Sequence, residues 1–257
     1  MASARVSVII PVHNGKSYLG EAIASARRQS PAPLEIVIVD DGSTDGTAAF
    51  VETLGSDIRL IRQAHSGVTV ARNRGLRSAR GDLIAFLDCD DVWTDGKLAT
   101  QVPILLEHSD IQVVLGHSRR MWTPTPQDGA SSGLRMTEPE LALSLGAALI
   151  RRSAFETIGA FDETLPRAED WDWFMRLRER GALVVVHPEV TQLCRRHDGN
   201  MTNDWSKGRT SLVGMIHRSI ARRRSLGAEA TSLPDFPSLD HYLRRRGTAI
   251  EDAAAGV

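Results

Sequence analysis

Three carboxylates fall within four residues at Asp88-Cys89-Asp90-Asp91. Carboxylates packed that tightly repel one another unless something cationic sits between them. Hard divalent cations such as Mg²⁺ or Mn²⁺ take oxygen ligands and are held by one or two carboxylates plus substrate phosphates. The cluster follows directly on Leu83-Ile84-Ala85-Phe86-Leu87, five apolar residues that read as a fully buried strand of a parallel sheet. Ligands of open α/β sheets sit just beyond the carboxyl ends of strands, which makes this a place for a site. A solvated Asp-rich turn closing a strand is the plainer alternative.

Three other groups could join such a site. Asp40 and Asp41 end a second apolar run, Leu34 to Val39. In Ala168-Glu169-Asp170-Trp171-Asp172-Trp173-Phe174, helical spacing puts Asp170 on one face with Trp173, Phe174 and Leu177. Partial desolvation there raises a carboxyl pKa and makes Asp170 a better proton acceptor; the alternative is an acidic first turn complementing the helix dipole, the role expected of Glu169 and Asp172. Arg195-Arg196-His197 suits a phosphate or metal–phosphate site, although a surface histidine between arginines is more often without function.

The elements that must position these groups alternate. Val6–Val12, Leu34–Val39, Ile58–Arg62 and Leu83–Leu87 read as strands, with helices expected from Leu19 to Ala26 and from Val68 to Ala79. This is the pattern of a mostly parallel, doubly wound sheet. Beyond Asp91, a helix is expected from Lys97 to Leu106 and strands at Val113–Leu115, Ala147–Ile150, Leu183–Val186 and Val190–Cys194. A capping box, Ser153-x-x-Glu156, opens a short helix. Trp122 to Pro139 is rich in Pro, Gly, Ser and Thr and reads as a long surface loop of the kind that binds or covers substrates.

Composition narrows the class. The 257 residues can bury a full α/β core. A net charge of −1 gives no basic field of the sort that marks a nucleic-acid binder. Two cysteines, Cys89 and Cys194, form no disulfide framework and fit a reducing compartment. No apolar run approaches the roughly 18 residues of a membrane span, and the first strand begins too early for a signal peptide. A cytoplasmic protein is expected, with peripheral membrane contact open to the arginine-rich tail around Arg222–Arg224 and Arg244–Arg246, which is read as weakly ordered. Gly15-Lys16-Ser17 is not a P-loop, because no glycine stands at the motif's first position upstream of it, and no Gly-x-Gly-x-x-Gly follows the first strand.

The ordered set of motifs resembles the family 2 glycosyltransferases. It runs through Val8-Ile9-Ile10-Pro11-Val12-His13-Asn14, Ile38-Val39-Asp40-Asp41-Gly42-Ser43-Thr44-Asp45 and Ala71-Arg72-Asn73-Arg74-Gly75. It continues through Phe86-Leu87-Asp88-Cys89-Asp90-Asp91, Gly159-Ala160-Phe161-Asp162-Glu163, Ala168-Glu169-Asp170-Trp171-Asp172 and Arg195-Arg196-His197. The resemblance implies a GT-A fold: a Rossmann-like, mostly parallel mixed sheet flanked by helices. It also implies one domain over 1–214, with a nucleotide-sugar half to about 105 and an acceptor half from 106, then a basic helix and tail over 215–257. The implied activity is metal-dependent, inverting transfer of a sugar from a nucleotide-diphosphate donor, with a UDP-sugar as the expected donor.

By the same resemblance, Pro11 and Asn14 shape the donor pocket, Asp41 accepts a hydrogen bond from the base and Asp40 lies near the ribose. Arg72 reaches the base or diphosphate. Asp88 faces ribose or metal-bound water, Asp90 and His197 hold Mn²⁺ or Mg²⁺, and Asp170 is the general base. Trp171 offers a stacking face while Trp173 is core. His13 stands where the family often has Tyr. If the segments of Cys89 and Cys194 converge, their thiols are neighbours and oxidation becomes a route to lost activity. The acceptor is a carbohydrate, a lipid-linked sugar, a small molecule or a peptide. A nucleotidyltransferase would want a Gly-rich basic loop after the first strand, which is absent; a catalytically inactive nucleotide-sugar-binding subunit is the remaining alternative.

Overall fold

The computed structural model describes residues 4–122, 134–165, 167–200, 205–225 and 236–245. The first half is built from near-continuous β-branched runs: β1 (Val6–Val12), β2 (Glu35–Asp41), β3 (Ile58–Gln63) and β4 (Leu83–Phe86) pair in parallel in the order β3-β2-β1-β4. Strands β1, β2 and β4 are buried along their whole length, as a sheet covered on both faces requires. Alternation along β1 sends Val8 and Ile10 to one core, with α1 (Lys16–Arg27) and α4 (Lys97–Glu107), and Ile9 to the other, with α3 (Val68–Ser78). Helix α3 lies so close to the sheet that a Cβ at Gly75 would come within 2.4 Å of Ile9 Cγ2.

Beyond β4 the sheet becomes mixed. Strand β8 (Ala148–Arg151) runs antiparallel to β4, β6 (Ile111–Trp122) antiparallel to β8, β9 (Leu183–Arg196) parallel to β6, and the two-residue β5 (Val92–Trp93) antiparallel to β9. Helices α5 (Arg152–Ile158) and α6 (Glu169–Glu179) carry Phe155, Trp173, Phe174 and Leu177 into the second core. Short helix α2 (Thr47–Glu52) follows β2, and β7 (Arg135–Met136) pairs with the end of β6. Long helix α7 (Trp205–Ser225) closes the order, and no helix among the described residues is long and apolar enough to cross a membrane.

Several expectations change. The two strands expected at Leu183–Val186 and Val190–Cys194 are one strand, β9, which passes Pro188 because its pairing with β6 shifts register between Leu115 and Ser118. Part of the expected Trp122–Pro139 loop is ladder, through Met121↔Met136 and Trp122↔Arg135, and residues 123–133 lie outside the described set. Helix α5 begins before the Ser153 box, with Arg151 at its N-cap and no side chain capping it.

The 214/215 boundary falls inside α7, whose Arg218 pairs with Asp162 (2.5 Å) and Arg222 with Asp172 (3.0 Å) and Glu179 (2.7 Å). Arg222, expected with the basic tail, and Arg218 thus pin the helix to the domain. The tail is also anchored where it is described. Val186 N–H donates to the Pro237 carbonyl (3.0 Å), and the Tyr242 hydroxyl donates to Asp110 (2.9 Å).

Candidate active site

Three groups of polar side chains gather beyond the carboxyl ends of the parallel strands. The first surrounds Asp41 at the end of β2. Its buried carboxylate accepts hydrogen bonds from Gln63 Nε2 (2.7 Å), Ser66 N–H (2.8 Å) and Gly67 N–H (2.8 Å). Burial works to raise this carboxyl, but the three donors overturn it and hold Asp41 below the ordinary carboxylate value. His13 Nδ1 and His65 Nδ1 both lie against the Asp41 carbonyl oxygen, at 2.8 and 3.1 Å, and the two rings face each other with centroids 4.1 Å apart.

Asn14 and Asp40 frame this pocket. Asn14, at a left-handed φ of 52°, takes the Thr44 N–H on its Oδ1 (2.8 Å) and donates its own N–H to Ser43 Oγ (2.9 Å), tying the β1 and β2 loops together. Asp40 is buried and accepts from Ser43 N–H (3.1 Å). Pro11 sits within β1 opposite Val39.

The second group is the acidic cluster. His197, from the segment after β9, places Nε2 3.1 Å from Asp90 Oδ2, and Asn200 Nδ2 donates to the same oxygen (3.1 Å). The His197 ring stacks on Tyr18 with centroids 4.6 Å apart. Asp90 is pushed above its ordinary value by burial and by the Asp88 charge, against the pull of His197. Asp91 turns inward, accepting from Gln192 Nε2 (2.6 Å) and Arg195 N–H (2.8 Å); burial and its two acidic neighbours raise it strongly.

Arg195, read as a phosphate clamp from sequence, is instead a buried strut donating to Glu21 and, through Nε, to the Asp90 carbonyl (2.9 Å). Cys89 and Cys194 are both free and partly buried. Burial, then the adjacent carboxylates, push both thiols well above the ordinary value, so little thiolate forms.

The third group joins the acidic cluster to the start of α6. Buried Arg72 donates from one terminal nitrogen to Asp88 (2.6 Å) and from the other to Glu169. Both terminal nitrogens expected to reach a base or diphosphate are therefore engaged by carboxylates of this chain. Asp170 follows at once, pushed up to about 7 by burial and by the Glu169 charge, with Arg72 opposing. Ala168, just before it, holds a left-handed φ of 63°, a conformation that costs a non-glycine residue about 1–2 kcal/mol. Trp171 is exposed and Trp173 fully buried.

Glu169 and Asp172 do lie in the first turn of α6, as expected of acids that complement the helix dipole, but each is also tied to arginine. Glu169 is the inner partner of Arg72, and Asp172, 1% exposed, is held by Arg176 (2.8 Å) and Arg222. Sequence reasoning also passed over His65 and Gln192. His65 follows β3, where the strand-end rule applies as it does to Asp41; nothing in the sequence around Gln192 marks it as the partner of Asp91.

A parallel β3-β2-β1-β4 half joined to a mixed half, with acidic groups at the strand ends, is the GT-A glycosyltransferase architecture. Residues 7–159, more than half of the chain, match the family described as glycosyl transferase family 2, and residues 136–222 match one described as glycosyltransferase like family 2. The chain belongs to glycosyl transferase family 2. An uncharacterized glycosyltransferase of Rickettsia typhi is 33% identical over 217 residues, covering 77% of this chain and 66% of that protein. The glycosyltransferase EpsJ of Bacillus subtilis is 32% identical over 219 residues, 77% of this chain and 62% of that one.

Among solved structures, S. aureus TarS in complex with UDP-GlcNAc superposes with a TM-score of 0.62 at 23% identity, over 78% of this chain and 61% of that one. The mannosyltransferase PcManGT from Pyrobaculum calidifontis, in complex with GDP-Man and Mn²⁺, gives 0.64 at 21% identity, over 90% and 66%. Both likenesses are of fold. The chain spans about two thirds or less of the length of these relatives.

Proposed function

We propose that the chain transfers a sugar from a nucleoside diphosphate donor to an acceptor hydroxyl with inversion at the anomeric carbon, UDP being the expected nucleotide. The observation that carries this reading is a continuous run of groups at one end of the sheet: His197 on Asp90, Asp90 beside Asp88, and Asp88 joined through Arg72 to Glu169 and Asp170. The Asp41 pocket takes the base, its carboxylate accepting a base N–H, with Asn14, Asp40 and Pro11 holding the surrounding backbone. Neighbours of the same fold carry UDP-GlcNAc in one case and GDP-Man in the other, so the family accommodates more than one base.

The donor set at Asp90 and His197 fits a divalent cation. One carboxylate oxygen and one imidazole nitrogen lie 3.1 Å apart, both groups stay partly exposed, and the Asp88 charge still holds Asp90 above its ordinary value. Of Mn²⁺ and Mg²⁺, such a mixed oxygen–nitrogen pair suits Mn²⁺ better, because Mg²⁺ favours oxygen ligands throughout. A bound cation supplies neutralisation of the diphosphate charge and of the charge that builds on the leaving nucleotide. The protein does the rest. Arg72 fixes Asp88 relative to the start of α6, and Asp170 takes the acceptor hydroxyl proton onto its carboxylate as the oxygen attacks and the carbon–diphosphate bond breaks on the opposite side. A carboxyl near pKa 7 is matched to that proton transfer.

Calorimetric titration of UDP, GDP and dTDP into the protein, with Mn²⁺ and with chelator, tests the reading. Binding of one nucleotide that needs metal and is lost in Asp90→Ala is expected. No binding of any nucleotide would sink the reading.

A further inference from the structure

Beside Asp41 stand two histidines to which the reaction proposed above gives no part. His13, Asp41 and His65 each offer a ligand atom, and the three atoms lie within 4.8 Å of one another. His65 Nδ1 is 3.0 Å from Asp41 Oδ2, and both rings are exposed while the carboxylate between them is buried. The three residues come from the ends of β1, β2 and β3, a rigid parallel ladder. The hydrogen bonds to Asp41 from Gln63, Ser66 and Gly67 fix the carboxylate's plane, the supporting contacts a metal-ligating carboxylate needs.

We propose that His13, Asp41 and His65 form a second divalent-cation site, selective for an imidazole-preferring ion of the Zn²⁺ class, and that its occupation closes the nucleotide-base pocket. The ligand chemistry separates it from the first site. Two imidazoles and one carboxylate, with room for solvent at the fourth position, match Zn²⁺ or Co²⁺, whereas Mg²⁺ favours oxygen ligands. Any proton on the ligating ring nitrogen must give way to the ion. That proton moves to solvent or to the other ring nitrogen, and the carboxylate keeps its backbone donors. With the two rings clamped across Asp41, a base can no longer reach the carboxylate. The ion site stands on the geometry alone; only its competition with nucleotide rests on the function proposed above.

Co²⁺ titration followed by visible absorption tests both parts, using the full chain, His13→Ala, His65→Ala and Asp90→Ala. The absorption should develop in the wild type and in Asp90→Ala, and affinity should fall roughly tenfold or more in each histidine variant. These side chains are exposed, so unchanged melting temperatures should accompany the loss. Added UDP should lower the signal. No absorption, or absorption lost in Asp90→Ala and kept in both histidine variants, overturns the site. UDP that binds by calorimetry and leaves the signal intact overturns the closure. A Co²⁺ signal in a protein that binds no nucleotide leaves the ion site standing and removes the transferase reading instead.

Discussion

His197 and Asp90 lie 107 positions apart in the chain, yet His197 Nε2 sits 3.1 Å from Asp90 Oδ2. The pairing of β5 with β9 brings them together, Val92 opposite Leu193, so that the residues just before one strand meet those just after the other. Tyr18 backs the imidazole and Asn200 shares the carboxylate oxygen. A metal at this pair would relieve the repulsion between Asp88 and Asp90. His197→Ala should therefore weaken Mn²⁺-dependent UDP binding by roughly tenfold or more, and Asp90→Ala should abolish it. Titration calorimetry with and without chelator reads the difference; an unchanged Mn²⁺ dependence in both variants counts against the pair.

Asp170 should govern the pH profile. Its carboxyl is raised to about 7, and the reactive form is the carboxylate, so kcat/KM should climb through about pH 7 and level off above it. Asp170→Asn should lower kcat by about 10²–10⁴-fold with UDP affinity preserved.

The same shift has a stability sign. A carboxyl whose folded pKa is raised favours the folded state while it is protonated, below its unfolded value near 4, and that contribution is lost as pH rises through about 7. Asp170→Asn, permanently neutral, should melt higher than the wild type at pH 8, with the gap closing toward pH 4. Melting curves across that range decide it.

The Arg72 hub should be costly to break from its buried side. Glu169→Gln leaves Arg72 with one charged partner in the interior and should cost about 3–5 kcal/mol, measured by denaturant unfolding. Asp88→Asn should cost less, because the Asp88 side chain is 41% exposed and water can take over. Equal losses would contradict the burial difference.

The two thiols should be slow to react. With Cys89 and Cys194 both raised by burial and by neighbouring carboxylates, labelling by a thiol reagent at neutral pH should be slow in the native protein and fast in denaturant. Reductant should leave activity unchanged. Rapid native labelling would restore oxidation as a control.

Much of the parallel half was legible because its strands are unbroken apolar runs between turn residues, and the strand-end rule pointed to Asp41 and Asp88. The antiparallel half was less so. Strand β9 passes through Pro188 by a register shift that no local pattern announces. Glu169 and Asp172 look like surface acids because helical periodicity reports a face but not the cations that wait on it. Arg72 and Arg222 come from α3 and α7, far along the chain; only Arg176, one turn on from Asp172 in α6 itself, stood within reach of the local pattern. His65 was missed for a simpler reason: one histidine in a polar turn carries no spacing, and only the fold sets it beside His13.

The short β5 also bears on the order in which the molecule assembles. His13, Asp41 and His65 all belong to the first 65 residues and are brought together by neighbouring parallel strands. The Asp90–His197 pair depends on a ladder only two residues long that joins segments about 100 positions apart. Contacts of such separation carry the larger loop-closure cost. A nascent chain can therefore complete the cluster around Asp41 before residue 190 has been made, whereas the Asp90–His197 pair exists only once β9 has paired with β6 and caught β5.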